Sequence, residues 1–372
     1  MNAQNLDNKP KVRKESKNKI RVEFERTPLK ERLKAKFLSL FFLKKVVWYI
    51  FRLVLLIGIS YIVLFPFFTK IAGSFMGPND FVDVTVRLIP KDFTLDMYKE
   101  IWTQNKYMEA FTNTLILSGS SALIQTFVCC FVAYGLAKFK FKGGKFVMLA
   151  VIFSLLVPHR TLYLPLFMNF RYFDIFGIFG FLNGGGITIL GHNFTNEFFA
   201  GIDVIPDTWK NFSADGINLL DSYWPLLILS VCGLAFKNGL FIFMLRQFFK
   251  GVPDELEESA YIDGSGIMHT FFTIILPLSI PMMITVFLFA FSWQWTDSFY
   301  TGLFFTNNKV VLMQDIVKVP MTLETDYAGT ALYESAIINT AGLMIIMPLV
   351  IMYLFCQRFL VQGIERSGLT AD

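Results

Sequence analysis

Six apolar runs punctuate the chain, near residues 46–70, 112–137, 146–168, 224–245, 276–295 and 336–357. Each reaches the roughly 20 residues that a helix needs to cross a bilayer core. Ahead of the first run, Thr27-Pro28 reads as an N-cap followed by proline at the first helical position, and Leu29, Leu33 and Phe37 then recur every four residues among lysines and arginines. That spacing predicts a basic helix lying in the membrane interface, preceded by a polar stretch, residues 1–26, that cannot build a core; a solvated tail with accidental periodicity is the alternative. Residues 72–110, between the first two runs, hold Pro90-Lys-Asp-Phe-Thr-Leu-Asp-Met-Tyr98, polar enough for water and patterned enough to fold. Residues 171–223 are too long for a simple connection and carry Gly177, Gly180, Gly184-Gly-Gly186, Asp203, Pro206, Trp209, Asp215 and Asp221. The pattern divides the chain into a basic arm (1–45), a first spanning helix with its outer loop (46–110), a membrane core (111–357) and a terminal tail (358–372).

Composition sharpens this picture. At 54% hydrophobic residues with 43 phenylalanines, the chain is too apolar for an ordinary soluble enzyme. Of its 34 lysines and arginines, 14 precede residue 46, which places the N-terminus in the cytoplasm. An even number of spans returns the C-terminus to that side, and Lys138, Lys140, Lys142 and Lys145, then Arg246 and Lys250, then Arg358 fall in the loops this orientation makes cytoplasmic. The basic arm runs into a span without an aromatic stacking motif, so inner-leaflet lipid, not nucleic acid, is its expected partner. No cleavable signal segment is recognisable, and Cys129, Cys130, Cys232 and Cys356 all fall inside apolar runs, where no disulfide is expected. Three scattered histidines, at 159, 192 and 269, form no metal-ligand cluster, and there is no phosphate-cradling loop or catalytic triad. No catalytic residue, metal or bound cofactor is therefore expected.

Polar residues inside the apolar runs are the candidates for a solute path. Lys237-Asn238 lies about nine residues, or about 13 Å, from the cytoplasmic end of the fourth run, where a charge must face protein or water. The two readings of Lys237 are a cavity residue that contacts solute and an ion pair with a partner subunit. In the third run, Pro158 and Pro165 bracket a break that brings His159 and Arg160 to membrane depth, either lining the same cavity or, for the arginine, snorkelling to the outer face. At the end of the fifth, Trp293, Gln294, Trp295 and Asp297 mix indole faces with directional polar groups, as sugar sites do and as interfacial aromatic belts also do.

The most informative stretch is Val252-Pro-Asp-Glu-Leu-Glu-Glu-Ser-Ala-Tyr-Ile-Asp-Gly264, acidic and polar between two membrane-length runs. Pro253 suits a first helical position, Asp254, Glu255, Glu257 and Glu258 oppose the positive end of the helix dipole, Leu256 and Ala260 are expected on one face, and Asp263-Gly264 ends the turn. With Leu276-Pro277 following, this loop of about 250–270 resembles the "EAA" loop of permease subunits in binding-protein-dependent ABC importers. Arg246-Gln-Phe-Phe, Arg358-Phe-Leu-Val-Gln-Gly363 and the Pro90–Tyr98 segment extend the similarity to the second permease of maltose-type sugar importers. That resemblance implies an all-α, six-helix type I importer fold in a prokaryotic cell membrane, with Glu257, Glu258, Ser259, Ala260, Asp263 and Gly264 coupling the chain to two cytoplasmic ATP-binding subunits. Ser259 departs from the family's usual alanine by a small-for-small change. The resemblance also implies a second permease, more readily a different chain than a copy, an extracellular solute-binding protein, and a carbohydrate substrate, with ATP and magnesium used by the ATPases alone. Relative to the family, residues 177–221 read as an outer insertion, either a contact for the binding protein or lid, or a lineage-specific decoration. A permease for another nutrient keeps the loop and differs in the cavity; a secondary transporter needs no such loop; an enzyme acting on lipid-linked sugar needs catalytic carboxylates that are not evident.

Overall fold

Helix formation along the first apolar run is driven by leucine, isoleucine, valine and phenylalanine with one interior proline, Pro66, and gives α1 over Leu40–Gly73. The computed structural model describes residues 40–174, 186–189, 192–195, 217–307, 309–324, 326 and 329–368. The expected interfacial helix and most of the expected outer insertion lie outside them. The chain falls into two compact units, one ending at Phe67 and one beginning at Phe68. In the first, side chains from Val47 to Phe67 are exposed almost without exception, on every side of the helix. A helix apolar all round is at home in lipid or against another membrane chain.

The second unit opens with a folded loop. Asp80 is buried, and its carboxylate accepts the backbone N–H groups of Lys91 and Asp92, which fastens a short 3-10 turn at Pro78–Phe81 to the strand-like Met76–Phe93 bridge. Helix α2, Asp96–Gln104, and then α3, Tyr107–Lys138, follow. After α3 come α4 (Gly144–Leu156), a 3-10 turn (His159–Leu162) and α5 (Tyr163–Arg171). Then come α6 (Trp224–Val231), α7 (Asn238–Lys250), α8 (Glu255–Ile262), α9 (Ile267–Trp295), α10 (Phe299–Phe304) and α11 (Thr330–Gly368).

Helix α3 lies at the centre, packed by α6, α7 and α9, with α11 against α9. Its buried positions, including Ala110, Thr114, Leu117, Ser118, Ser121, Ala122, Gln125, Cys129 and Ala133, recur every three or four residues and are mostly small or polar. Its exposed face carries Leu115, Ile116, Leu123, Phe127 and Phe131. The pattern inverts that of a water-soluble helix, as expected where lipid takes the apolar face and small residues let backbones approach.

Two prolines in the long helices are compensated. Pro348 cannot donate to the carbonyl of Met344, and the Tyr107 hydroxyl donates to that carbonyl at 3.2 Å. Pro277 likewise removes the bond to Thr273, and α9 widens into a π turn over Phe271–Ile275 just before it.

Among the described residues four helices are long and apolar enough to cross a membrane: Lys44–Gly73, Tyr107–Lys138, Ile267–Trp295 and Thr330–Leu360. A fifth candidate, α4 with the segment His159–Arg171, is bent by 95°. The expected fourth span, 224–245, is instead two short helices separated at Cys232–Lys237. Six continuous spans are therefore not observed, because two of the apolar runs are broken. The all-α expectation is also modified, by a two-stranded antiparallel hairpin, β1 (Gly186–Ile189) and β2 (His192–Thr195), that pairs Gly186 with Thr195.

Candidate functional site

Two sites emerge from the candidate residues, at opposite ends of α7. At its C-terminal end, α8 begins at Glu255, two residues later than Pro253 suggests, with Glu255, Glu257 and Glu258 in its first turn. Its buried face carries Glu257 and Ala260, whereas Leu256 is exposed, so the expected Leu256–Ala260 face does not form. Glu258 and Ser259 face outward, and the Ser259 hydroxyl donates to the Glu255 carbonyl at 2.8 Å. After Ile262 and Asp263 the chain turns through Gly264 at φ +83°, where the Gly264 N–H reaches the Tyr261 carbonyl at 3.1 Å and the Ser265 N–H reaches that of Ala260 at 2.9 Å. This paired closure needs the left-handed conformation that glycine adopts freely.

What fixes α8 to the core is a residue read from sequence only as an orientation charge. Lys138, the last residue of α3, has a side chain only 6% exposed; its ammonium donates to the Val252 carbonyl at 2.7 Å and to Asp254 Oδ1 at 2.5 Å, and stands 3.7 Å from Glu257 Oε1. Arg246 Nε donates to the Leu136 carbonyl at 3.3 Å, so both residues satisfy groups at helix ends. The Lys138 hydrogen bond and charge hold Asp254 below the ordinary carboxylate range. Burial pushes Glu257 above it, against the opposing pull of Lys138. A basic residue in the last turn of an apolar helix, followed over a hundred positions later by an acidic turn, was the signal available. Exposed Ile262 (85%), the last residue of α8, and Met268 (67%), just beyond it, add apolar surface at that end.

At the N-terminal end of α7, the two broken segments share a cavity of about 570 Å³. Pro158 interrupts one; Gly233 at φ +70° and Lys237 at φ +65° interrupt the other. Lys237 thus lies in a break, not inside a continuous helix as its run suggests, and caps the start of α7. His159, Lys237, Asn238 and Tyr300 line the cavity, while Arg160 is exposed and is not part of the lining. The Lys237 ammonium lies 5.0 Å from the Phe236 ring centre and 5.9 Å from that of Trp293. His159 Nδ1 and the Tyr300 hydroxyl are 3.2 Å apart. Asn238 is 1% exposed, and among the described residues its amide has no hydrogen-bond partner. Gly239 permits this geometry: a Cβ there would stand 2.6 Å from Ser154 Oγ and 2.8 Å from the Val151 carbonyl oxygen, so α4 and α7 meet backbone to backbone.

The Trp293–Asp297 group does not converge on the cavity. Trp293 stacks on Phe241 at 5.6 Å and borders Lys237. Trp295 is fully buried and donates from Nε1 to the Ile345 carbonyl at 3.0 Å. Gln294 is buried. The Asp297 carboxylate accepts the N–H groups of Phe299 and Thr301 at 3.3 and 2.9 Å, which starts α10. Tyr300 and Gly239 are site residues that no polar pattern marked, since one reads as aromatic filling and the other as a helix interruption.

Comparison with known proteins identifies the family and the fold. Residues 126–366 match the family described as binding-protein-dependent transport system inner membrane component. The chain is 26% identical over 309 residues to the inner membrane ABC transporter permease protein YcjP of Escherichia coli K12, covering 82% of this chain and 91% of that one. It is 25% identical over 317 residues to the polygalacturonan/rhamnogalacturonan transport system permease protein YtcP of Bacillus subtilis 168, covering 83% and 93%. A crystal structure of a bacterial ABC transporter involved in the import of the acidic polysaccharide alginate superimposes with a TM-score of 0.61 at 18% identity, covering 85% of this chain and 97% of that chain.

Proposed function

Because the chain belongs to the family of binding-protein-dependent transport system inner membrane components, we propose that it is one permease subunit of an ABC importer for a carbohydrate. The observation that carries the reading is the α8 loop: a short acidic helix, closed at Gly264, held to the end of the central helix by Lys138 and bordered by exposed Ile262 and Met268. A rigid knob with apolar margins suits a groove on a soluble partner, and its link to α3 gives motion there a route into the membrane core. Two cytoplasmic ATP-binding subunits take this role, and they alone use ATP and magnesium. Glu258, Ser259, Asp263 and Gly264 face them, while Glu257 and Ala260 face their own chain.

The second permease is a different chain, and an extracellular solute-binding protein delivers the cargo. The membrane is that of a prokaryotic cell, with both termini in the cytoplasm. A carbohydrate cargo is supported by the relative named for polygalacturonan and rhamnogalacturonan transport and by a largely apolar cavity with a few polar groups, among them His159, Asn238 and Tyr300.

The test is recovery of whatever accompanies a tagged chain from its native membrane under mild detergent, then reconstitution into proteoliposomes. ATP-dependent saccharide uptake that requires an ATPase, a second permease and a binding protein is the expected result. Uptake by the chain alone, driven by an ion gradient, would overturn the reading.

A further inference from the structure

The cavity between the broken segments carries a cation and no carboxylate in its lining. Among the described residues that line it there is no aspartate or glutamate, while Lys237 is one of them. None of the ion pairs among the described residues includes Lys237, whose ammonium rests instead against the faces of Phe236 and Trp293. Aromatic faces stabilise a cation without neutralising it, so the positive charge stays available to a ligand. The residue that starts α7, Asn238, also lines the cavity, which brings the positive end of that helix dipole to the same wall. Lys237 holds its place in a left-handed backbone conformation that a glycine would adopt at less cost, the kind of local strain that collects at functional sites. A hydroxyl from Tyr300, paired with His159, and one from Ser154 supply directional groups nearby. The size, about 570 Å³, lies in the range of small-molecule sites.

From these observations we infer that the cavity is a subsite for the carboxylate of an acidic sugar, and that Lys237 is the residue that selects the charged form. The inference rests on the carbohydrate-importer reading and narrows it to saccharides containing uronate residues. Lys237 supplies the cation, the α7 terminus adds to it, and the rings of Phe153 and Tyr300 in the cavity lining present a surface for the apolar face of a pyranose. A neutral saccharide gains only the ring contacts.

The experiment uses the complete importer in proteoliposomes and matched probes: labelled trimers of galacturonate, glucuronate and mannuronate, the same trimers as methyl esters, and maltotriose. The readout is the ratio of acid to ester uptake, which a loss of folded protein leaves unchanged. At least one uronate trimer is expected to be taken up about tenfold faster than its ester. Lys237→Met should bring that ratio close to one, and Lys237→Arg should keep most of it. Equal uptake of acid and ester by the unmodified importer, or a Lys237→Met ratio unchanged from it, would overturn the inference. So would an effect of Lys237→Met that tracks the phosphatidylglycerol content of the vesicles and not the charge of the trimer, which would make the occupant a lipid headgroup. If maltotriose alone is imported, the inference falls and the carbohydrate reading stands. If no saccharide is imported by the intact complex, both fall.

Discussion

A single ammonium, that of Lys138, stands where the central helix ends and the acidic helix begins, with the Val252 carbonyl and two carboxylates around it. Asp254 is exposed and its share is screened by solvent, but Glu257 is nearly buried, and loss of the ammonium leaves its carboxylate and the Val252 carbonyl without their cation. Lys138→Met should therefore lower ATPase stimulation by the loaded binding protein at least about tenfold while membrane insertion persists, and Lys138→Arg should recover part of it; stimulated ATP hydrolysis in vesicles is the measurement. Glu257 gives a pH signature. Its folded value is raised by burial, so its contribution is fully present below the ordinary carboxylate value of about 4.3 and is lost as pH rises through the folded value. Asp254, held low by Lys138, works in the opposite sense: its contribution is present above the unfolded value and lost as pH falls through the folded one. Glu257→Gln should then slow amide exchange in residues 254–264 relative to the unmodified chain at pH 7, with the difference fading near pH 4. The acidic turn and its glycine were legible in the sequence because capping and turn chemistry are local. Lys138 was not, because its partners lie more than a hundred residues away and a lysine at the end of a span has an orientation role that explains it without them.

At the scale of elements, the apolar runs located the helices and hid the breaks in two of them. A window of hydropathy averages over Pro158 and over Gly233 to Lys237, since the residues around them are as apolar as any helix interior. Positive φ at Lys237 had no sequence signal at all, lysine being a poor guide to the left-handed region. The break in the third run was anticipated from its prolines; the break in the fourth required the packing of α4 on α7, where Gly239 leaves room for Ser154 and the Val151 carbonyl. Gly239→Ala should cost about 1–3 kcal/mol by overpacking. Because the Val151 oxygen belongs to the backbone, adding Ser154→Ala should restore only part of that loss, as read by denaturation of the purified complex in mixed micelles.

For the whole molecule, class and family were within reach of composition, spacing and one loop, whereas the geometry of the cavity depended on contacts between segments nearly eighty residues apart, such as His159 and Phe236. The inverted pattern of α3 has a thermodynamic meaning of its own. Its buried seam is small and polar and its exposed face is apolar, so separating the helices inside a micelle transfers little apolar surface into water. The heat-capacity increment of unfolding scales with such transfer. Scanning calorimetry of the purified protein in detergent should accordingly find an increment per residue well under the roughly 12–15 cal/mol/K of water-soluble domains. The stability curve then becomes nearly straight in temperature, and the protein has no cold limit within reach of liquid water.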